Sequence, residues 1–152
     1  MTTAVVCGVD GSPDAQAALQ VAARLAERLD LRLVVAHVAE PAFVPYAAAA
    51  PFGGSAGRDA LTEEVESQEE AAERLLEQVL TPAGVVAERR AAVGVPAERL
   101  AEIADEVDAE LIVVGSRGRG AFKAAFLGSV SSSLVGVARC PVLIVPPGAT
   151  ET

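Results

Sequence analysis

An unbroken apolar run, Leu111-Ile112-Val113-Val114, empties directly into Gly115-Ser116-Arg117-Gly118. Four consecutive aliphatic residues without polar alternation read as a strand buried on both faces, the habit of parallel sheets. A parallel strand must be left through a crossover, and this crossover begins with glycine. After nine intervening residues comes Gly128-Ser129-Val130-Ser131, which reads as a helix start. A strand that runs into a glycine-rich loop and then a helix is suited to hold an anion. Glycine lets the backbone approach a phosphate closely, and the free N–H groups of the loop and helix terminus point at negative charge. Arg117, Arg119 and Lys123 are three of the twelve basic residues of a chain with formal net charge −9, and no acid lies between Gly115 and Gly136. That local cluster of positive charge argues for a phosphate ligand.

The same logic runs along the chain. Ala4 to Val9 is a short apolar run that ends in Asp10-Gly11-Ser12-Pro13-Asp14. Ser12 suits a helix N-cap, Pro13 the first helical position, and Asp14 the positive end of the helix dipole. Ala15, Ala18, Leu19, Ala22, Leu25, Ala26 and Leu29 then form one apolar stripe. Leu31 to Val38 is a second strand. Residues 39–58 hold Pro41, Pro45, Pro51, Gly53, Gly54 and Gly57 and read as a flexible loop. Three of the chain's five aromatics, Phe43, Tyr46 and Phe52, lie in it, so it reads as a mobile flap or a linker pinned by aromatic contacts. Asp59 to about Leu80 predicts a long amphipathic helix with Leu61, Val65, Ala72, Leu75, Leu76 and Val79 inward. Val85 to Val93 alternates weakly and suits a third strand at an edge. Pro96 opens a short helix with Leu100, Ile103, Ala104 and Val107 on one face. Ser129 to Ala138 is helical, and Val142 to Val145 is a fifth strand. Regular strand–helix alternation implies an α/β fold with a parallel sheet covered on both faces.

The 152 residues fit one domain, 1–152, with 51% hydrophobic and 22% charged residues, a globule's composition. No apolar run is long enough to span a membrane, and the first residues lack the basic region of a signal peptide. Cys7 and Cys140 are far apart beside apolar strands and are expected as buried reduced thiols, a cytoplasmic pattern. The acidic balance argues against non-specific nucleic-acid binding.

Two other phosphate motifs are excluded. Gly115 to Gly120 has the spacing of a Walker loop, but Ala121 stands where its lysine belongs. A dinucleotide fingerprint fails because Lys123 replaces the third glycine after Gly118 and Gly120. His37, the one histidine, alternates with Val38 on an apolar strand and reads as a packed residue rather than a base. Asp10 suits either a ligand contact at a strand end or an Asx turn. Arg117 suits either a phosphate contact or a solvated loop charge.

The spacing Gly115-x-x-Gly118, nine residues, Gly128-Ser129 resembles the ATP-binding branch of the universal stress protein family. Val5-Val6-Cys7-Gly8-Val9-Asp10-Gly11-Ser12, Val34 to Val38 and Cys140 to Val145 extend the similarity over residues 3 to 147. The resemblance implies a three-layer open sheet of five mainly parallel strands, order 3-2-1-4-5, adenine nucleotide α-hydrolase-like, with helices on both faces. It implies ATP, accompanied by Mg²⁺, at the crevice between the first and fourth strands. Asp10 would then meet the nucleoside and Val38 the adenine. Val114, Gly115, Arg117 and Gly118 would line the ribose and phosphate chain. Gly128, Ser129, Val130 and Ser131 would hold the phosphates. The family also implies a homodimer through the Val142–Val145 edge.

The function expected is therefore that of an ATP-binding, cytoplasmic stress-response regulator or sensor. No Glu or His falls inside the motif loops to position water, so turnover is at most slow hydrolysis or autophosphorylation. Two alternatives share the fold: an interaction module that binds no nucleotide, and an adenylating nucleotide α-hydrolase. The latter would need Ser-Gly-Gly-x-Asp-Ser after the first strand, where this chain has Asp10-Gly11-Ser12-Pro13-Asp14.

Overall fold

Residues 4 and 6 face one way and residues 5 and 7 the other in the first strand, and all four are buried. That alternation divides the interior into two cores, one on each side of a central sheet. The computed structural model describes residues 3–41, 55–117 and 127–149. Its elements are β1 (Ala4–Gly8), α1 (Pro13–Leu29), β2 (Arg32–Ala39), α2 (Ser55–Ala83), β3 (Glu88–Val93), α3 (Pro96–Glu106), β4 (Ala109–Gly115), α4 (Ser129–Val137) and β5 (Val142–Val145). The strands lie in the order β3-β2-β1-β4-β5, with every neighbouring pair parallel. The expected fold class and strand order are thus met.

Val5, Cys7, Val35 and Val113 pack under α1 and α2 with Ala18, Leu19, Ala22 and Leu76. On the other face Val6, Val34, Ile112 and Val114 pack with Leu100, Ile103 and Ala104 of α3 and Leu134 of α4. The first helix starts as its residues dictate. Ser12 accepts the Ala15 N–H on its hydroxyl oxygen at 3.2 Å, and Pro13 occupies the first turn. It ends where Asp30 turns left-handed, φ 54°.

Several boundaries differ from the sequence expectation. The first strand stops at Gly8, although Val9 still donates its N–H to the Ala36 carbonyl at 2.9 Å. The third strand begins at Glu88 rather than Val85. The loop expected over 39–58 is trimmed at both ends, because Ala39 closes β2 and α2 already runs from Ser55. The rest of that loop, 42–54 with its three aromatics, lies outside the described residues.

Leu61 and Val65 were expected inward and are 46% and 41% exposed. The helix that carries them has 29 residues, hence a length of about 44 Å, against about 26 Å for the 8-residue strand β2. A helix longer than its sheet must overhang it, and among the described residues the buried stripe of α2 begins only at Ala72. Leu29, in the last turn of α1, is also exposed, at 55%. Both cysteines are free thiols; Cys7 is buried as expected, whereas Cys140 is only half-buried, in the turn before β5.

The two sheet edges contrast. At the β3 edge Glu88 pairs with Arg32 and with Arg90, each at 3.0 Å, and Arg90 also reaches Glu106 at 3.2 Å. The β5 edge reads Val-Leu-Ile-Val with no charge at all.

Candidate functional site

β1 and β4 are neighbours, yet the chain leaves them toward opposite faces: α1 packs in one core and α4 in the other. Such a reversal opens a crevice at the carboxyl ends of the two strands. Asp10, just past β1, is half-buried, and its Oδ1 accepts the Ser12 N–H at 2.9 Å. Gly11 adopts φ 82°, the left-handed turn that converts strand direction into helix direction. His37 Nδ1 lies 2.7 Å from the Val9 carbonyl. A carbonyl only accepts, so that nitrogen carries the proton, and the ring braces the residue before Asp10. This is the packed role expected of it.

The other wall is built around Ser116. Its N–H donates to the Val145 carbonyl at 2.9 Å, and its own carbonyl accepts the Gly128 N–H at 2.7 Å. The Ser131 hydroxyl approaches that same carbonyl at 3.2 Å and the Gly128 carbonyl at 3.1 Å. The two halves of the glycine motif are thereby closed onto each other. Ser131 is buried, and its hydroxyl serves the loop's own carbonyls. With Ser131 turned inward, the polar groups left to face a guest include the first-turn amides of α4 and the exposed Ser129. Gly128 is the N-cap and has no side chain with which to occupy those amides.

Asp14 was read from sequence only as a dipole-complementing residue, and the structure gives it more. A Cβ on Gly115 would lie 2.8 Å from the Asp14 carbonyl carbon and 2.9 Å from its oxygen. The Ser116 hydroxyl donates to Asp14 Oδ2 at 3.3 Å, and Arg117 Nε donates to the same oxygen at 3.4 Å. Three successive residues of the loop thus bear on one acid. Arg117 is not the solvated loop charge that was one of its two readings; it is an ion-paired cation, 29% exposed. No local pattern could have announced this, because the partners are 103 positions apart.

The remaining predicted residues are placed as follows. Val38 of β2 and Val114 of β4 are buried in the core on the α3 face. Val130 is half-buried and packs against that same core. Gly118, together with Arg119 and Lys123, lies outside the described residues. Among the described residues no group of three or more His, Cys, Asp or Glu could hold a metal ion.

The model of the universal stress protein family matches residues 1–146. The chain belongs to the universal stress protein family. A universal stress protein from Thermus aquaticus is 36% identical over 146 residues, spanning 95% of this chain and 99% of its own length. A universal stress protein from Mycolicibacterium smegmatis is 35% identical, but the match spans only 45% of that longer relative. Among solved structures, a universal stress protein in complex with cAMP superposes with a TM-score of 0.64 at 26% identity, covering 95% of this chain and 97% of that one. The universal stress protein from Archaeoglobus fulgidus in complex with dAMP gives 0.56 at 24% identity, covering 95% and 98%. That second likeness is one of fold.

Proposed function

We propose that this universal stress protein binds an adenine nucleotide in the crevice between β1 and β4, and that it works as a regulator or sensor in the cytoplasm. ATP accompanied by Mg²⁺ is the ligand favoured by the glycine spacing. The observation that carries the reading is the uncapped N-terminus of α4 at the end of β4, held there by the bond from Gly128 to Ser116. Helix-terminal amides of this kind favour phosphate. Relatives of the same fold solved with cAMP and dAMP support the adenine part.

In this reading Asp10 meets the nucleoside, Val38 and Val114 back the base and ribose, and Gly115 and Gly118 leave room for the phosphate chain. Gly128 caps the helix without a side chain in the way, Ser129, Val130 and Ser131 present amides, Ser129 adds its hydroxyl, and Arg117 adds a cation. Mg²⁺ would travel with the triphosphate, bound mainly by phosphate oxygens and water, and so needs no dedicated protein cage. The role is binding rather than turnover: His37, the one histidine, is occupied with a backbone carbonyl.

The reading is tested by thermal unfolding with ATP and Mg²⁺. At a hundredfold excess over Kd, binding adds about 2.7 kcal/mol, which raises the midpoint of a domain this size by roughly 5–10 °C. No shift at millimolar ATP makes the chain an interaction module instead.

A homodimer through β5 belongs to the same proposal. The specific support is the uncharged Val-Leu-Ile-Val edge, set against a β3 edge guarded by Glu88, Arg89 and Arg90. An open apolar edge invites a partner strand, whereas a charged one discourages it.

A further inference from the structure

We propose that Asp14 is a specificity-determining residue that levels the affinities for adenine nucleotides with one and with three phosphates, by holding a fixed negative charge against Arg117 at the start of the phosphate loop. The inference rests on the adenine-nucleotide reading of the crevice and adds to it a rule for the phosphate tail.

Of the ion pair's two members, Asp14 is the fixed one. It sits in the first turn of α1, its side chain is 13% exposed, and its backbone packs where Gly115 has no Cβ. Its backbone cannot shift without moving the helix, and its mostly covered side chain has little room to turn away. Arg117 is the exchangeable one. It lies past the end of β4, and its Nε reaches Asp14 at a long 3.4 Å. The Ser116 hydroxyl, the other donor to that same Oδ2, is equally loose at 3.3 Å. Any phosphate that reaches Arg117 therefore reaches it beside a carboxylate that stays in place.

The charge arithmetic follows. A guanidinium alone would draw a tail more strongly for every negative charge it carries. A guanidinium with a fixed carboxylate at its side is close to neutral seen from a few ångströms away. Among the described residues, what remains are the amides of α4, which would hold one phosphate by direct hydrogen bonds and gain little from the next two. With Asp14 in place, base and ribose carry most of the recognition, and the number of phosphates counts for little. Neutralising Asp14 uncovers the charge of Arg117 and makes the number count.

The test is isothermal titration of the full chain and of Asp14→Asn with adenosine, AMP and ATP, in magnesium-free buffer at fixed salt. Asparagine keeps an acceptor oxygen for Ser116 and Arg117 and removes only the charge. The expected result is AMP and ATP within a few-fold of each other in the unaltered chain. In the variant the gain should grow with tail charge: on the order of tenfold for ATP, about threefold for AMP, and least for adenosine. Asp14→Ser makes the same charge change in a smaller side chain and replaces Asp14→Asn if circular dichroism shows the latter unfolded. Equal changes for all three ligands, or an ATP preference already tenfold in the unaltered chain, overturn the role of Asp14 and leave the nucleotide site standing. Absence of binding by all three ligands overturns the nucleotide reading and this inference with it.

Discussion

A methyl group added at Gly115 would press on the backbone of Asp14 at 2.8 Å, a contact that no side-chain rotation relieves. Gly115→Ala should therefore cost about 1–3 kcal/mol by overpacking, lowering the unfolding midpoint by roughly 3–10 °C with no ligand present. A thermal melt checks it. Gly115→Val, an obvious way to block the phosphate loop, strikes the seat of α1 as well and does not isolate ligand binding. Ser131→Ala removes the hydroxyl that reaches the Ser116 and Gly128 carbonyls, which should cost about 1–2 kcal/mol in urea unfolding. The Cys7 thiol is pushed up to about 12 from 9.0 by complete burial, so the fold holds its proton more tightly than the unfolded chain does. Its contribution to stability is intact below pH 9 and is lost as pH climbs toward 12, because only the unfolded chain releases the proton readily in that window. Burial, and after it the Asp105 charge, also raise the Cys140 thiol. A thiol reagent should label Cys140 slowly in the native protein, faster at higher pH, and Cys7 only after unfolding. At this scale the sequence was legible where a residue's task is local: the Ser12 cap and the Pro13 turn. It was silent where the task is set by topology. Asp14 carries the same signature whether it merely complements a dipole or faces an arginine from the other end of the chain. Ser131 likewise looks like a ligand serine until burial turns its hydroxyl onto carbonyls.

Elements were easier to read than their ends. Apolar runs and three-to-four spacing located all five strands and the four helices of the described residues, because burial on a sheet imposes those periods. Strand order is different in kind, since alternation alone permits several arrangements; here it came from the family's glycine pattern. Helix α2 shows the limit of periodicity. Leu61 and Val65 continue the stripe of Ala72 and Leu76, but the stripe runs past the sheet that would cover it. The edge strand β5 carries the prediction that belongs to elements. Light scattering at micromolar concentration should give twice the 15.5 kDa chain mass. Leu143, 37% exposed on that edge, is the residue at which to break it. Leu143→Lys places a charge on the open edge and should return the mass to that of one chain while the native circular dichroism persists.

At the scale of the molecule, an acidic globule of net charge −9 is asked to hold an anion. On the proposed reading it would do so by local means: amides of α4 and a guanidinium, with six exposed glutamates between Glu63 and Glu77 carried along α2 instead. Long-range repulsion is screened within about 8–10 Å at ordinary salt, so the crevice is governed by its own neighbours rather than by the net charge. The family was legible in the motif spacing, while the pairing of Asp14 with Arg117 was visible only in three dimensions. Some relatives carry about twice this length, and the Mycolicibacterium smegmatis match spans 45% of that chain. Ser116 has a consequence of its own in this chain. Its amide is fastened to the last residue of β5, and its carbonyl to the cap of α4. The outer rim of the molecule and the mouth of the crevice are hinged on the two peptide planes that flank one residue, so a guest that turns Ser116 tugs directly on the rim.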